Sequence, residues 1–295
     1  MTYVYDDVNK WGRMIQESDQ TGVKLFKCSD EVPSGSTAFI HMAHLPFSER
    51  TYTKQLVKLL NEKGVTTIPS LQESILYDDK VEQYKTFGNW MPFTVLFEND
   101  TDAFKYCREA NFPIVSKTSQ GAGASNVRIL TDTRHALVEV CRTFSLGGMP
   151  VYQGNTQKDY VLWQEYVPNL KYNWRVMMLA KKYAVVTQRW NSPENNKVDD
   201  NGEIKQIDYL KPELLNYVRN FVDTFDFNWC AVDVVETKDG FKVLETSVGF
   251  PFWWFEKGGV IFKYHGYWCE TSSKATDIWK ILLETIKEGY FNEKT

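Results

Sequence analysis

The chain has 295 residues, of which 43% are hydrophobic and 24% charged, a profile typical of a folded globular protein with a sizeable core. The formal net charge is −4 and no long basic run occurs, which argues against a general nucleic-acid-coating role because such binding depends on neutralised phosphates. No apolar run approaches the roughly 20 residues that a membrane-spanning helix needs, and the N-terminus lacks the pattern of a signal peptide. We therefore expect a cytoplasmic protein.

The cysteines and histidines predict neither disulfides nor a metal centre. Five cysteines are scattered, odd in number and without a CxxC pair, and the four histidines add no metal-ligand spacing. A reduced intracellular protein, in which these residues have structural roles, accounts for this better than a disulfide framework or a zinc site.

The first 70 residues alternate short apolar runs with helical patterns. Strands are predicted at 2–5, 23–26, 36–42 and 65–69, and helices at 8–18 and from a cap at Ser48 to about residue 61. Such alternation is typical of a small α/β layer with parallel strands. Residues 1–70 are therefore interpreted as an N-terminal α/β domain.

Residues 71–158 form a second pattern, interpreted as a compact lobe. We predict helices at 71–87, from a cap at Thr101 to 112 and from Thr131 or Asp132 to 144, with strands at 91–97, 113–117 and 127–130. The last two strands are separated by a glycine-bearing turn and predict a hairpin. The polar, glycine-rich segment 145–160 is interpreted as the connection to the next lobe.

Residues 159–295 form the third unit. Three successive antiparallel strands are predicted at 160–167, 173–180 and 183–190, followed by a hydrophilic, mobile insertion at 192–206. A helix at 211–225, a strand pair at 229–237 and 241–247 and a closing helix at 273–288 complete the pattern.

A turn of small residues between two predicted strands is a candidate phosphate-binding loop. It comprises Ser119, Gln120, Gly121, Ala122, Gly123, Ala124 and Ser125. Small residues let backbone N–H groups approach phosphate oxygens closely, although neither the Walker pattern nor the dinucleotide fingerprint is present. Lys117, which ends the preceding strand, and Lys80 upstream are candidate phosphate cations. An ordinary hairpin turn and two solvated surface charges are the alternative interpretation.

Two carboxylates on a predicted strand pair form a candidate metal site. Asp233 lies in CAVDVVE and Glu245 in FKVLETS, and the short turn between these strands can bring them side by side. Burial of each charge among apolar neighbours is costly unless it is compensated. A divalent metal bridging the phosphates of a nucleotide would compensate both charges. Two carboxylates that face solvent are the alternative.

The strands between these motifs carry further candidates. The segment 163–167 resembles a hinge strand that could present main-chain groups to an adenine edge. Arg175, inside an apolar strand, and Arg189, at the end of the next one, suit bidentate contact with a phosphate or carboxylate. A structural salt bridge is the competing interpretation for both arginines.

The segment that follows the second carboxylate strand is dense in aromatic side chains. They are Phe250, Phe252, Trp253, Trp254, Phe255, Phe262, Tyr264, Tyr267 and Trp268. One interpretation is the wall of an acceptor site. The other is packing against the C-terminal helix or a subunit interface.

From about Ile68 to Phe252 the ordered set of motifs resembles the ATP-grasp superfamily. It is most similar to the branch that contains the ribosomal-protein glutamate ligase and glutathione synthetase-like enzymes. The segments that carry the resemblance are DDK ending at Lys80, FPIVSK ending at Lys117 with the SQGAGAS loop, WQEYV around Glu165, YNWRV around Arg175, QRW around Arg189, AVDVVE around Asp233 and VLETS around Glu245.

The resemblance implies an α+β ATP-grasp fold, in which two lobes grip ATP, preceded by the small parallel α/β domain. The central lobe would be residues 71–158, with the glycine loop, and the C-terminal lobe residues 159–295, with the metal site. It implies that Lys80, Lys117 and the loop residues 119–125 contact the phosphates, that Glu165, Tyr166 and Val167 face adenine, and that Asn173 contacts the ribose or its surroundings. It further implies that Asp233 and Glu245 hold Mg²⁺ and that Arg175 and Arg189 steady an acyl phosphate.

One position departs from the family pattern. Members commonly carry asparagine two residues after the second metal carboxylate, and here that residue is Ser247. Its hydroxyl can still ligate the metal or position a metal-bound water, so Ser247 completes the predicted metal set.

The implied function is an ATP-dependent carboxylate–amine ligase that works through an acyl phosphate. Its partners would be small-molecule or peptide carboxylates and amines, with neither nucleic acid nor membrane involved, and the chain is expected to form a homodimer. Two other functions remain open. One is a kinase that leaves the phosphate on a small-molecule hydroxyl, and the other is a non-catalytic ATP-binding scaffold.

Overall fold

The structure is a computed structural model that describes residues 1–18, 22–43, 45–121, 126–151, 156–168, 170–191, 203–205, 207, 210–249, 258–273 and 278–291. The strands are β1 Thr2–Tyr5, β2 Val23–Phe26, β3 Thr37–Phe39, β4 Thr66–Ile68, β5 Thr94–Phe97, β6 Ile114–Lys117, β7 Val127–Leu130, β8 Met149–Pro150, β9 Thr156–Gln157, β10 Val161–Glu165, β11 Tyr172–Leu179, β12 Tyr183–Trp190, β13 Ile204–Lys205, β14 Trp229–Thr237, β15 Gly240–Ser247, β16 Val260–Tyr264 and β17 Trp268–Glu270. The α-helices are α1 Trp11–Ser18, α2 Phe47–Glu62, α3 Leu71–Leu76, α4 Lys80–Phe87, α5 Asp100–Glu109, α6 Thr133–Phe144, α7 Pro212–Thr224 and α8 Ile278–Lys287.

The N-terminal residues form a parallel sheet with the strand order β2-β1-β3-β4. The parallel arrangement predicted from the alternating pattern is therefore observed. Helix α2 begins at Phe47 after an extended Pro46, so the prediction that Ser48 caps this helix is wrong. The fixed backbone angle of proline suits the extended position before a helix, and Ser48 lies inside the first turn.

The central sheet is antiparallel, with the order β5-β10-β6-β7. Strand β10 lies between β5 and β6, so the prediction that residues 160–167 pair with the two following strands is wrong. Sheet partners are chosen by contacts that are distant in sequence, which local periodicity does not report. Helix α5 is capped by the side chain of Asn99 and not by the predicted Thr101, whereas Asp132 caps α6 as one of the two predicted residues.

The C-terminal sheet has the order β15-β14-β11-β12-β16-β17, and β13 pairs with β12. Strands β16 and β17 were not predicted, and they place Phe262, Tyr264 and Trp268 of the aromatic segment in this sheet. The first five aromatic residues of that segment and most of the insertion at 192–206 lie outside the described residues. The closing helix is described from Ile278.

Two hydrophobic cores divide the molecule. One is shared by the N-terminal sheet, α7, α8 and the C-terminal sheet, and within it Phe39 packs edge-to-face on Trp229 with ring centroids 4.9 Å apart. The other lies inside the central lobe around Trp163 and Val140. The central sheet with α5 and α6 thus packs on its own core, whereas Leu76 of α3 and Phe87 of α4 belong to the larger core. The cleft described below lies between the central sheet and the larger body. All five cysteines are free thiols.

Among the described residues, no helix combines the length and the apolar character needed to cross a membrane.

The sequence pattern at 71–87 predicted one continuous helix, and this is wrong. The structure has two helices, α3 and α4, separated at Tyr77–Asp79. Asp78 has a positive φ of 52°, which non-glycine residues rarely adopt. The side chain of Asp79 accepts a hydrogen bond from the N–H of Glu82 and so begins a new helix. The break brings Lys80 to the cleft.

Candidate functional site

A cleft of about 1110 Å³, including space open to solvent, lies between the central and C-terminal sheets. It is lined by Lys80, Val115, Lys117, Thr118, Gln120, Gly121, Asn126, Val127, Ile129, Gln164, Glu165, Tyr166, Val167, Leu170, Asn173, Arg189, Asn191, Asp233, Leu244 and Glu245. Charged side chains gather at one end, and apolar side chains line its walls.

The two predicted metal carboxylates lie on adjacent antiparallel strands. Asp233 of β14 is the register partner of Glu245 of β15, and the register shifts immediately after this pair. Such a bulge re-aims the side chains next to it. Asp233 is 2% exposed, whereas Glu245 is partly exposed and its carboxylate lies 3.4 Å from the Lys80 ammonium.

Asp233 is held by both predicted arginines. The guanidinium of Arg175 donates to its two oxygens at 2.7 and 2.9 Å, and Arg189 donates to Oδ2 at 2.7 Å. Arg189 also donates to Oδ1 of Asn173, its register partner, at 3.1 Å. The salt bridge that competed with a phosphate-binding role is therefore present, and it also fixes Arg189 in the cleft wall.

Burial and opposite charge act against each other in this cluster. Burial alone would raise the pKa of Asp233, but the two guanidiniums outweigh it and lower that pKa. Burial and the repulsion from Arg175 lower the pKa of Arg189 to about 10. Burial also opposes the charge of Arg175, yet its two-bond contact with Asp233 prevails and raises its pKa. The pKa values of the two arginines shift in opposite directions because Arg175 contacts both oxygens of Asp233, whereas Arg189 contacts one.

The two predicted lysines meet at the same end of the cleft. The ammonium of Lys80 donates to the carbonyl of Gly121 at 3.1 Å, and that of Lys117 donates to the carbonyl of Leu244 at 3.5 Å. Burial lowers the pKa of Lys117 to about 8, with Lys80 adding repulsion and Glu245 and Asp233 opposing the shift. The cluster at this end consists of four basic groups and two carboxylates: Lys80, Lys117, Arg175, Arg189, Asp233 and Glu245. Its net charge is +2 when all six are ionised, which suits an anionic ligand.

The described part of the glycine loop is fixed at its first residues. The N–H of Ser119 donates to Gln157 at 3.1 Å and to the Tyr160 hydroxyl at 3.2 Å, and its own hydroxyl donates to Asp79 at 2.5 Å. Ser119 is therefore turned away from the cleft, while Gln120 and Gly121 line it. The predicted loop residues Ala122, Gly123, Ala124 and Ser125 lie outside the described residues.

The other end of the cleft is formed by the end of β10 and the residues that follow it. Glu165, Tyr166 and Val167 line this end, where the sequence predicted an adenine contact. The side chain of Gln164 donates to the Thr94 hydroxyl at 2.9 Å, and the N–H of Glu165 donates to the carbonyl of Phe93 at 2.8 Å. These contacts hold the end of β10 to the central sheet.

Three of the predicted site residues that the structure describes do not line the cleft. Ser119 is turned away from it, as described above, and Arg175 reaches it only through Asp233. Ser247 lies two residues beyond Glu245, and its hydroxyl donates to the carbonyl of Gly249 at 3.1 Å.

The sequence reasoning missed the apolar walls of the cleft. Val115 lies two residues before Lys117, and Val127 and Ile129 alternate along β7. The period-two alternation of strands carried this signal, since it places Val115 on the same face as Lys117. Asn126 and Asn191 also line the cleft and had no such signal.

The donors present fit a magnesium ion that is shared with phosphates. Among the described residues no cluster of three His, Cys, Asp or Glu side chains could hold a metal. Mg²⁺ in phosphate-transfer sites is commonly bound by one or two carboxylates together with phosphate oxygens and waters. Asp233 and Glu245 supply two such carboxylates in register beside a cationic cleft. Because both Asp233 oxygens accept from guanidiniums, Glu245 offers the more accessible oxygens to the ion.

Comparisons with solved structures identify the fold. The chain is similar to a RimK-domain ATP-grasp protein from Sphaerobacter thermophilus, with a TM-score of 0.57 and 16% identity over 85% of this chain and 92% of that one. It is similar to the ATP-grasp ligase PsnB complexed with its minimal precursor, Mg and ADP, with a TM-score of 0.62 and 12% identity over 97% and 98%. It is also similar to ATP-bound D-alanine–D-alanine ligase from Bacillus anthracis, with a TM-score of 0.62 and 11% identity over 99% and 97%.

No family model and no curated protein sequence matches the chain. These three structures cover 85–99% of this chain, and the first two are ATP-grasp proteins. The chain therefore has the ATP-grasp fold, as its sequence motifs predicted.

Proposed function

We propose that this protein is an ATP-grasp ligase that joins a carboxylate to an amine, with MgATP activating the carboxylate as an acyl phosphate. The observation that carries the proposal is the polarity of the cleft. Lys80, Lys117 and Arg189 converge with Asp233 and Glu245 at one end. The opposite end offers apolar walls and the strand end at Glu165. This arrangement fits a polyphosphate at one end and a base at the other.

In this proposal the basic residues hold and neutralise the phosphates. Lys80 and Lys117 contact the phosphate chain, at the end of the cleft that Gln120 and Gly121 of the loop line. Glu165, Tyr166 and Val167 contact adenine, and Asn173 contacts the ribose side or holds Arg189. Asp233 and Glu245 hold magnesium, which when bound neutralises charge on the transferred phosphate. Ser247 is left with at most an indirect role.

The reaction then needs alignment and charge neutralisation rather than a protein nucleophile. An oxygen of the substrate carboxylate attacks the γ-phosphorus, and the bond to the leaving ADP breaks. Arg189, oriented by Asn173 and Asp233, stabilises charge on the acyl phosphate. The amine then attacks the carbonyl carbon, loses a proton, and phosphate leaves with the bonding electrons. Arg175 acts through Asp233 as a positioning residue.

An amino acid or a peptide is the favoured substrate class. Two of the similar structures are a ligase complexed with a minimal precursor and a D-alanine–D-alanine ligase.

The experiment is release of ADP from MgATP with pooled amino acids, peptides and amines, with mass spectrometry of the products. Glu245→Gln is compared with wild type and with Glu236→Gln, a matched control on the exposed part of β14. We expect acceptor-dependent ADP release and a dehydrated adduct in wild type and Glu236→Gln, and neither in Glu245→Gln.

Other outcomes identify the alternative functions. A stable phosphorylated acceptor would indicate a kinase instead of a ligase. ATP binding without turnover across the whole pool would indicate a non-catalytic scaffold. The presence of Ser247, where the family commonly has asparagine, is consistent with that hypothesis.

A further inference from the structure

The break between α3 and α4 joins three parts of the molecule. The hydroxyl of Tyr77 donates to the carbonyl of Met42, after β3 of the N-terminal sheet, at 3.0 Å. The next residue, Asp78, has the strained positive φ noted above. Asp79 then starts α4, and Lys80 faces the cleft. Since a strained backbone persists only when surrounding contacts hold it, the partners of Asp78 show what the strain serves.

Asp78 is shared between a helix of the N-terminal domain and the glycine loop. One carboxylate oxygen, Oδ2, forms an ion pair with Arg50 of α2, and both side chains are at most 10% exposed. The other oxygen, Oδ1, accepts the N–H of Gly121 at 2.8 Å. Gly121 has a φ of 147°, so its N–H is presented by a backbone shape that favours glycine.

The residues on either side of Asp78 also contact α2 and the glycine loop. Lys54, one turn after Arg50 on α2, donates to the carbonyl of Tyr77 at 2.6 Å. On the loop side, the N–H of Lys80 donates to the carbonyl of Ser119 at 3.0 Å, and the Lys80 ammonium donates to the carbonyl of Gly121. The segment 77–80 therefore bridges α2 and the first residues of the loop.

We propose that Arg50 is a positioning residue for phosphate binding, which acts through Asp78 on the N–H of Gly121. Arg50 does not line the cleft. Its charge orients the Asp78 carboxylate so that the other oxygen fixes the point where the loop leaves β6. Arg50 also donates to the carbonyl of Leu45 at 3.4 Å, in the connection between β3 and α2. The position of this N-terminal connection is thereby coupled to the phosphate-binding loop.

The role in nucleotide binding rests on the proposed function, but the coupling itself does not. Breaking the pair leaves a buried charge and frees the Gly121 N–H from a fixed acceptor. We expect the affinity for MgATP to fall roughly tenfold, within the 5–150-fold range typical of coupled sites. We expect the affinity to fall equally for Arg50→Gln and Asp78→Asn.

The test uses hydrogen–deuterium exchange of the ligand-free full chain together with binding of a fluorescent ATP analogue in Mg²⁺. The variants are Arg50→Gln, Asp78→Asn and the double variant, with Lys58→Met as the control. Lys58 lies on the same helix, and its exposed side chain pairs with Glu62 of α2. We expect faster exchange in peptides spanning 118–121 for both single variants, no further increase in the double variant and no increase for Lys58→Met.

Two results would overturn the proposal. One is additive effects in the double variant, which would mean that the two residues act separately. The other is unchanged exchange at Gly121 in a folded Arg50→Gln protein. If Arg50→Gln does not fold, Asp78→Asn breaks the same ion pair from the other side, and unchanged exchange in its 118–121 peptides would overturn the proposal. A wild-type protein that binds no nucleotide would refute the proposed function, while the exchange data would still decide the coupling.

Discussion

Arg175 and Asp233 are register partners on the adjacent strands β11 and β14, and the guanidinium contacts both carboxylate oxygens. Arg189, on the far side of β11, reaches the same carboxylate. One buried acid therefore balances two buried bases. Removing one partner of such a cluster is far more costly than the cluster is stabilising, because an uncompensated buried charge remains.

Asp233→Ala should for this reason lower the free energy of unfolding by about 3–5 kcal/mol. Urea unfolding followed by circular dichroism measures the change. Asp239→Ala, in the exposed turn between β14 and β15, is the control and should stay within about 0.5 kcal/mol of wild type. If Asp233→Ala lowered the free energy of unfolding as little as the control does, the arginines would have found other partners when Asp233 is removed.

The affinity for MgATP should depend on pH through Lys117. Burial lowers the pKa of this lysine to about 8, and a phosphate ligand needs the charged form. Affinity should therefore fall about tenfold between pH 7 and pH 9, as the charged fraction falls. Binding at pH 8.5 should take up a proton, so the calorimetric enthalpy should vary with the ionisation heat of the buffer. Lys117→Arg should abolish both effects, and their persistence would assign the titration to another group.

The lowered pKa of Lys117 predicts that the stability of the fold, unlike the affinity for MgATP, rises with pH. The pKa of a lysine in the unfolded chain is near its ordinary value of 10.5, so between about pH 8 and 10.5 the unfolded chain holds a proton that the folded chain has lost. The contribution of Lys117 to the free energy of unfolding therefore rises with pH across that range. Urea unfolding of wild type and Lys117→Met from pH 7.5 to 10 measures the effect. The difference in free energy of unfolding between the two proteins should narrow or reverse as pH rises.

The two residues at the end of β15 should contribute unequally to magnesium binding. Glu245 lines the cleft, whereas the Ser247 hydroxyl donates to the carbonyl of Gly249. Glu245→Gln should raise the magnesium concentration needed for binding of a fluorescent ATP analogue by at least about tenfold, since even residues around metal ligands contribute that much. Ser247→Ala should leave it nearly unchanged. An equal rise in both variants would show that Ser247 is a ligand.

A methyl group at position 249 should disturb the contact between the C-terminal sheet and the segment 77–80. A Cβ there would lie 2.2 Å from the Tyr77 hydroxyl and 2.8 Å from the carbonyl of Met42. Gly249→Ala should destabilise the protein by about 1–3 kcal/mol, as overpacking commonly does, and lower its melting temperature by several degrees. Gly258→Ala is the control, because its nearest neighbour would be the end of the Ile204 side chain at 3.3 Å. Equal melting temperatures would contradict the close approach.

Features encoded within a short stretch of sequence could be predicted. The alternation of strands and helices in the first 70 residues predicted a parallel layer, and Asp132 was one of two predicted caps for α6. The pairing of Asp233 with Glu245 was also accessible, because a tight turn fixes the register of a hairpin. The order of motifs along the chain led to the ATP-grasp fold.

Tertiary contacts decided the rest. Asp79 is a local signal for the start of α4, but the residues that hold Asp78 in place are distant in sequence. They are Arg50, 28 positions earlier, and Gly121, 43 positions later. The same reason explains why β10 joins the central sheet and why Arg189 meets Asn173 and Asp233. Local sequence determines which backbone conformations are low in energy, but burial and pairing between distant segments select among them. The sequence by itself thus determined the chemistry available to this protein, and only the folded chain decided which charges face each other across the cleft.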